Sequence, residues 1–353
     1  MNYLNHSYFY AFDDRQGWNY TVFFSFWNDF NRHDVGIEYV EFLFMLLLFI
    51  VSLAVNFTLI VIFAAKRRLR SNQNMYVIAI MINSILLLPF SMLIGITRLS
   101  PSGWQFGNTG CQFTMYAIVA TAFSKAWLMA MISIDRYVKV VRGRGISRTL
   151  TIVFILLVVT IPSVSTAIMA FPNTYTKTID STDEQITICT AIFKYHPSVR
   201  VSLAYFVTLF TMFFLIPLVV IIVCYSLIMK AVAKSTRSLS RHKSTPQNRK
   251  IESNRQKSRT TKILVLIVAV STIMWLPLFG GLAFATLDMV FESYQMTSSV
   301  MFGVIAIIVL NMTIEPFLYS FTSSRVRNEV WMCLKKKPSL MHSSIRETTS
   351  ASS

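Results

Sequence analysis

Charged side chains are scarce in this sequence. They account for 14% of its 353 residues, whereas soluble proteins contain about 25%. Hydrophobic residues account for 54%, and the mean hydropathy is +0.53. This composition excludes an ordinary soluble domain and is typical of a membrane protein with several spans.

Cysteine and histidine are also few. Four cysteines are too few for a disulfide scaffold or a zinc cluster. The five histidines lie in predicted loops or tails, so the apolar segments lack the residues of a metal site or a catalytic triad. We therefore predict that the protein is not an enzyme and has neither a metal nor a cofactor.

Long apolar segments dominate the chain, and each is long enough to cross a hydrocarbon core of about 30 Å at about 1.5 Å per helical residue. Seven such segments in series predict an all-α membrane protein, a seven-transmembrane helix bundle. The runs are Val40–Ala65, Asn74–Ile96, Cys111–Val141, Leu150–Phe171, Val201–Met229, Ile263–Leu287 and Val300–Phe321.

The net charge of +17 is distributed unevenly between the two sides of these runs. Basic residues cluster after the first run, after the third, between the fifth and sixth, and after the seventh. The positive-inside rule then predicts an extracellular amino terminus and a cytoplasmic carboxyl terminus. Because the charge follows membrane topology, we predict no nucleic-acid partner.

Three regions follow from this topology. Residues 1–36 form an extracellular head, in which Asn5 and Asn19 fit the N-x-[ST] glycosylation signal. Residues 37–322 form the transmembrane domain, whose loop 230–262 is polar and predicted to be largely disordered. Residues 323–353 form a cytoplasmic tail that begins with a short amphipathic helix on the membrane surface.

The third run contains a lone lysine, Lys125, near its middle, and ends in Asp135-Arg136-Tyr137. A charge at mid-membrane is costly, so Lys125 is expected to face protein or trapped water. Eleven residues, about three helical turns, separate Lys125 from Arg136, so the two lie on the same face.

Several short motifs recur along the chain in a characteristic order. They are Val55-Asn56, Trp104-Gln105-Phe106-Gly107 before Cys111, Asp135-Arg136-Tyr137, Pro217 with Tyr225, Trp275-Leu276-Pro277 and Glu315-Pro316-Phe317-Leu318-Tyr319. Their order and spacing resemble the rhodopsin-like (class A) family of G-protein-coupled receptors, from Val40 to about Leu334. The resemblance implies a plasma-membrane receptor that binds an extracellular ligand and activates a heterotrimeric G protein as the sixth helix moves outward. It also implies arrestin-like regulators and membrane lipids as further partners.

The same resemblance assigns roles to individual residues. Asp135 is expected to hold Arg136 at rest, and a disulfide is expected between Cys111 and Cys189. That bridge would pin residues 174–192 over the mouth of the bundle, where two alternating stretches suggest a hairpin. The predicted switch residues are Asp135, Arg136, Tyr137, Tyr225, Trp275, Pro277, Glu315, Pro316 and Tyr319.

The ligand class is narrowed by two positions. Ile118 occupies the place of the aspartate in amine receptors of this family, and the seventh run has no lysine for retinal, which opsins need. Peptides, lipids and other small molecules remain; the hairpin and the polar head favour a peptide, especially a neuropeptide. Met115, Ile118, Val119, Trp275 and Phe279 are the predicted apolar pocket floor.

A membrane transporter is the rival class, because it would also explain charge inside the membrane. The absence of an inverted repeat in the sequence argues against it. The two hypotheses predict different behaviour of the ligand. It stimulates nucleotide exchange on a G protein if the protein is a receptor, and it crosses the membrane if the protein is a transporter.

Departures from the family pattern lead to three hypotheses. Most members hold a buried sodium ion among an aspartate, a serine and an asparagine; here Lys125 and Glu315 are expected to form an ion pair in its place, with Asn83 and Ser84 as further partners. Lys257 replaces a common acidic residue at the base of the sixth run. Cys333 precedes three lysines and is a candidate for acylation.

Overall fold

The computed structural model describes residues 11–13, 18–20, 24–25, 35–66, 69, 71–100, 102–180, 185–191, 207–208, 210–241, 267, 269–277, 280, 298–322 and 324–335. Asn5, Lys257, Phe279 and the centre of the predicted loop 230–262 lie outside these residues.

Helices make up nearly all of the described chain. A π-helical turn, Thr211–Leu215, leads directly into the fifth helix. The last helix, α8, is the predicted short amphipathic one. The helices are α1 (Val35–Ala65), α2 (Asn72–Leu99), α3 (Gly107–Val141), α4 (Arg148–Asn173), α5 (Ile216–Arg241), α6 (residues 269–277), α7 (Ser298–Thr322) and α8 (Ser324–Lys335).

Within the described ranges, five helices are long and apolar enough to cross a membrane: Gly36–Ala65, Asn74–Leu99, Gly107–Val141, Arg148–Ile168 and Thr211–Lys234. A shorter apolar stretch, Phe302–Leu318, lies in α7. The predicted all-α membrane bundle is confirmed. Most of the sixth run falls outside the description.

Local sequence explains several helix ends and irregularities. Ser71 caps α2, because its hydroxyl accepts a hydrogen bond from the backbone N–H of Asn74. Pro217 follows the π-helical turn at the start of α5, where its missing N–H is tolerated. Pro89 and Pro316 lie inside α2 and α7, where each removes one backbone hydrogen bond.

Two small sheets lie among these helices. Strands β1 (Ala11–Asp13) and β2 (Trp18–Tyr20) pair with each other. Strands β4 (Thr174–Asp180) and β5 (Gln185–Ala191) form an antiparallel pair, which confirms the predicted hairpin. On the other side of β5 lies β3 (Phe24–Ser25), a strand of the head that the sequence did not predict.

The core consists of two apolar clusters. One lies near the β4–β5 hairpin and contains Met45, Trp104, Phe214, Trp275 and Phe302. The other lies near the C-terminal end of α3 and contains Phe63, Tyr76, Leu128, Tyr225 and Val326. Polar side chains separate the two, and we call Asn56, Asn83, Lys125, Asn311 and Glu315, all buried, the polar layer.

Candidate functional site

Lys125 is the centre of the polar layer. It lies midway along α3 and is 1% exposed, while Glu315 of α7 is 4% exposed. The structure brings the two together: Nζ of Lys125 is 2.7 Å from Oε2 of Glu315. A buried charge of each sign is thus neutralised by the other, and the pair joins α3 to α7.

Asn311 is the second partner of Lys125. Its Oδ1 accepts a hydrogen bond from Nζ at 2.8 Å. Asn311 and Glu315 are four residues apart on α7, so both point from the same face toward α3. The amide Nδ2 of Asn311 lies 3.6 Å from the sulfur of Met274 in α6. The lysine therefore contacts α7 directly and reaches α6 through one amide.

Asn83 and Ser84 were expected to satisfy the remaining donors of Lys125, and that prediction is wrong. Nδ2 of Asn83 donates instead to the carbonyl oxygen of Thr121 at 2.9 Å. The hydroxyl of Ser84 donates to the carbonyl oxygen of Ile80, one turn earlier in its own helix, at 3.0 Å. Among the described contacts, neither the amide oxygen of Asn83 nor the hydroxyl oxygen of Ser84 accepts a hydrogen bond from Lys125, and Oδ1 of Asn311 takes the place predicted for them.

The carboxylate of Glu315 retains unused capacity. Its Oε2 is held by Nζ of Lys125 at 2.7 Å, but within the described residues no group donates a hydrogen bond to its buried Oε1. A carboxylate has about four lone-pair sites, so the buried acid is only partly satisfied. Such a pair barely offsets its own desolvation, whereas loss of one partner leaves a bare buried charge.

A cavity of about 30 Å³ adjoins this pair. Lys125, Phe214, Pro217, Thr272 and Trp275 line it, so that it lies between α3, α5 and α6. The ring of Trp275 is centred 5.8 Å from Nζ of Lys125, within range of a cation–π contact. The cavity provides free space beside the tryptophan that the sequence places among the switch residues.

A second group of predicted switch residues lies near the C-terminal end of α3 and consists of Asp135, Arg136, Tyr137 and, from α5, Tyr225. Asp135 is 3% exposed and Arg136 is partly buried. Among the described residues no ion pair joins Asp135 to Arg136, so the predicted hold of Asp135 on Arg136 is not formed in this structure. Nε of Arg136 is buried without a hydrogen-bond partner in the described chain, and the hydroxyl of Tyr225 is buried beside Ser133. Tyr137 lies under the guanidinium of Arg142 at 5.9 Å.

The hairpin end of the bundle is tied to α3 by a disulfide. The bond joins Cys111, in the first turns of α3, to Cys189 of β5. Met115 and Ile118 are buried on the same helix below it, with Val119 packed against their cluster. Trp275 belongs to that cluster as well, so the structure brings together the predicted floor residues that it describes.

Other predicted sites are described only in part. Asn19 lies in β2, Tyr319 in α7 and Cys333 in α8, but their side chains fall outside the described residues. Pro277 ends the described stretch of α6, and Pro316 directly follows Glu315 in α7.

One buried ion pair escaped sequence analysis. Nε of Arg98 donates to Oε2 of Glu41 at 2.8 Å, and their side chains are 6% and 14% exposed. The pair joins α2 to α1 near the hairpin end. The sequence pattern around the two residues indicates no pairing, since each lies at the edge of an apolar run and resembles an ordinary interfacial charge.

Residues 55–319 match the model of the family described as 7 transmembrane receptor (rhodopsin family), which covers well over half of the chain. The chain belongs to this rhodopsin family of receptors. This membership confirms the prediction that the protein is a receptor rather than an enzyme. It also makes the chain a multi-pass membrane protein.

The receptor resembles both a rhodopsin and a receptor for tachykinin-like peptides. It is 26% identical over 264 residues to "Rhodopsin, GQ-coupled" of Mizuhopecten yessoensis, covering 71% of this chain and 51% of that relative. It is 22% identical over 286 residues to "Tachykinin-like peptides receptor 86C" of Drosophila melanogaster, covering 80% and 56%. The receptor thus spans about half the length of these two relatives.

A third relative matches over a larger share of its own length. The receptor is 24% identical over 308 residues to "Galanin receptor type 1" of Rattus norvegicus, covering 85% of this chain and 84% of that one. Its fold also matches the crystal structure of squid rhodopsin with a TM-score of 0.72, at 17% identity and with 88% of each chain covered.

Proposed function

We propose that this chain is a plasma-membrane receptor that binds an extracellular peptide and activates a heterotrimeric G protein. Relatives named as tachykinin-like, substance-K, galanin and bombesin receptors support the peptide class. Rhodopsin is also a relative, but the seventh run lacks a lysine to which retinal could attach. The distribution of basic residues supports a head outside the cell and a tail in the cytoplasm.

The observation that carries this proposal is the sheet at the mouth of the bundle. Strands β3, β5 and β4 pair in that order, and Cys189 of β5 is bonded to the start of α3. The backbone of Thr187 also exchanges hydrogen bonds with Ser102 and Trp104 at the α2–α3 connection. Strand β3 of the head and the described parts of two loops thus form one paired surface, which suits a ligand with many backbone groups.

A lipid or another small non-amine molecule is the second candidate ligand. The part of the bundle below the disulfide favours it, because Met115 and Ile118 are buried there among apolar neighbours and no acid lies on α3 between Cys111 and Ile134. An apolar lining with few polar groups is common to many small-molecule sites.

Coupling to the G protein is assigned to the other end of α3. Arg136 carries a permanent charge, and its buried Nε lacks a partner in the described chain, so an incoming partner can supply one. Outward movement of the sixth helix is the proposed trigger. Trp275 and Pro277 lie on that helix, and Met274 links it to the polar layer through Asn311.

The ion pair is proposed to act as a tethered substitute for an exchangeable cation. Nζ of Lys125 holds the positive charge at mid-bundle, and Glu315 supplies the carboxylate. A covalently attached charge cannot leave when the receptor changes shape, so its occupancy does not depend on salt. The resting and active states would then differ in how α6 contacts a permanent pair.

A screen of peptide pools tests the function as a whole. Cells that express the receptor with a promiscuous G protein are exposed to each pool, and nucleotide exchange on the G protein is measured. We expect a subset of pools to stimulate exchange in wild-type receptor and in Arg144→Ala, but not in Arg136→Ala. Arg144 is the control, since it is exposed and follows the C-terminal end of the same helix.

The other outcomes point elsewhere. Stimulation by lipid pools alone would replace the peptide with a lipid ligand. Loss of the response in both arginine variants would assign it to general surface charge rather than to Arg136. Accumulation of a labelled ligand inside receptor-containing vesicles, without exchange on any G protein, would support the transporter instead.

A further inference from the structure

A groove on the outer surface of the bundle lies at the Arg136 end. It encloses about 450 Å³ between the last turn of α1 and the first halves of α2 and α4. Ile82, Ile152 and Leu156 on its walls are 47%, 42% and 57% exposed. Phe63, which is 1% exposed, forms its floor. The groove is therefore open toward the membrane and closed toward the core.

Each wall is one face of a helix. Met75, Ile78, Ala79 and Ile82 of α2 recur at the spacing of an apolar stripe, and so do Ile152, Ile155 and Leu156 of α4. Arg148, the first residue of α4, is four residues before Ile152 and lies on that same stripe. The lining is thus apolar along its length and ends in a guanidinium.

Arg148 is exposed and has no acidic partner among the described residues. It also lies at the N-terminus of α4, where the helix dipole favours a negative charge. Arg142 and Arg144, in the segment just before α4, are exposed as well. A negatively charged group at the mouth of the groove therefore lies close to the guanidinium of Arg148, to the N-terminal end of a helix dipole and to the basic segment that contains Arg142 and Arg144.

The length of the groove fits one leaflet of a bilayer. From Arg148 to Leu156 the helix rises about 12 Å at about 1.5 Å per residue. Half of a hydrocarbon core of about 30 Å is about 15 Å. An acyl chain that lies along the stripe thus has its headgroup at the level of Arg148.

We propose that this groove binds one acidic phospholipid, with the headgroup phosphate on Arg148 and an acyl chain along the α2–α4 stripes. The lipid site rests on the proposed function only for the orientation of the chain in the membrane. That orientation places Arg148 on the cytoplasmic side, where acidic lipids concentrate. Guanidinium matches the paired oxygens of a phosphate, and an acidic headgroup adds a net charge. A sterol presents only a neutral hydroxyl and leaves the arginine unpaired.

Native mass spectrometry of the full-length receptor in detergent tests the headgroup. Phosphatidylserine and phosphatidylcholine are titrated separately, and the affinity of the first bound lipid is measured. Arg148→Gln is expected to weaken binding of phosphatidylserine about fivefold, the contribution typical of one arginine near a membrane surface. It is expected to weaken binding of phosphatidylcholine less, because the choline cation offsets the charge of its phosphate. Arg144→Gln, the matched control outside the groove, is expected to change neither.

A second set of variants tests the groove. Ala79→Phe fills it from α2 and Ala64→Phe from α1, so at least one folded variant is expected to be available. Either is expected to weaken binding of both phospholipids, whereas Val223→Phe, on the exposed face of α5, is expected to have no effect. Thermal unfolding checks that each variant is folded.

Several results would overturn the proposal. Equal losses in Arg148→Gln and Arg144→Gln would indicate a diffuse basic surface, and full binding in both filled variants would place the lipid elsewhere. Displacement of phosphatidylserine by a sterol that binds Arg148→Gln as well as wild type would make the groove a sterol site. Because the measurement uses neither a ligand nor a G protein, it does not depend on the receptor proposal.

Discussion

Breaking the Lys125–Glu315 pair one side at a time is the most informative perturbation of this receptor. At 2.7 Å, two unit charges attract by about 6 kcal/mol if the effective dielectric constant is about 20. Removal of each ion from water costs several kcal/mol, at order of magnitude, so the intact pair contributes roughly nothing net. The energetic consequence appears only when one partner is lost.

Lys125→Met leaves Glu315 charged, buried and without its counter-ion, and Glu315→Gln does the same to the lysine. Each single variant is expected to lose about 3–5 kcal/mol of the free energy of unfolding. The double variant buries no charge, and the new amide at 315 can donate to Oδ1 of Asn311. It is expected to lose less than either single variant, which gives a coupling of at least about 3 kcal/mol.

The chain provides a matched control. Lys66 and Glu329 form a second lysine–glutamate pair, 3.5 Å apart, but the lysine side chain is 42% exposed. The same substitutions there are expected to give a coupling below about 1 kcal/mol, because solvent screens the charges. Denaturant titration of the solubilised receptor measures all seven proteins, the wild type and three variants of each pair, and flow cytometry measures the fraction of each that reaches the cell surface.

The reasoning would be refuted by simple additivity. If the double variant lost the sum of the two single losses, the charges would not interact in the folded protein. A coupling equal to that of Lys66 and Glu329 would mean that water screens the mid-bundle pair as it does the exposed one.

Four further predictions follow from the remaining sites. Cys111→Ser and Cys189→Ser are each expected to abolish surface expression or ligand binding, whereas Cys224→Ser should be mild; alkylation of both of the first two without prior reduction would contradict the bridge in cells. A thioester-linked acyl chain on Cys333 is expected by mass spectrometry, and a bare thiol would exclude it. Lys257→Glu is expected to lower ligand-free exchange on the G protein, by removing a like-charge repulsion of about 1 kcal/mol near the Arg136 end, and equal basal rates would contradict this. Replacement of sodium by potassium is expected to leave agonist affinity unchanged, so a sodium-dependent shift would argue against the tethered cation.

The sequence was most informative where a pattern is local. Run length and composition predicted membrane-spanning helices, and alternation predicted the β4–β5 hairpin, because each depends on neighbours along one segment. The second partner of Lys125, in addition to Glu315, depends instead on how three helices are rotated relative to one another. Asn83 and Asn311 are both single amides in apolar runs, and only packing selects Asn311 for Lys125 and the Thr121 carbonyl for Asn83.

Long-range and irregular features were beyond the sequence for the same reason. Strand β3 is two residues of the head, and it exists because the edge of β5 is available nearby in space. The π-helical turn before Pro217 lies inside the fifth apolar run, and the hydrophobic pattern of that run does not distinguish it from an α-helix. Glu41 and Arg98 are far apart in sequence, and nothing in either run indicates that α1 and α2 align their edge charges.

The contacts of the polar layer differ in strength, and this difference supports the proposed movement of the sixth helix. Between α3 and α7 there is a buried ion pair and a charged hydrogen bond, and loss of such a pair's partner costs about 3–5 kcal/mol. Toward α6, the contacts of the described residues with the layer include an amide–sulfur contact of 3.6 Å, to a weak acceptor, and a cation–π contact at 5.8 Å, of about 0.5–2 kcal/mol. A ligand needs about 5.5 kcal/mol of differential affinity to move a two-state balance from 1:99 to 99:1. Opening between α3 and α7 would consume most of that energy, whereas the proposed shift of α6 breaks weaker contacts with the layer and has the cavity beside Trp275 to move into.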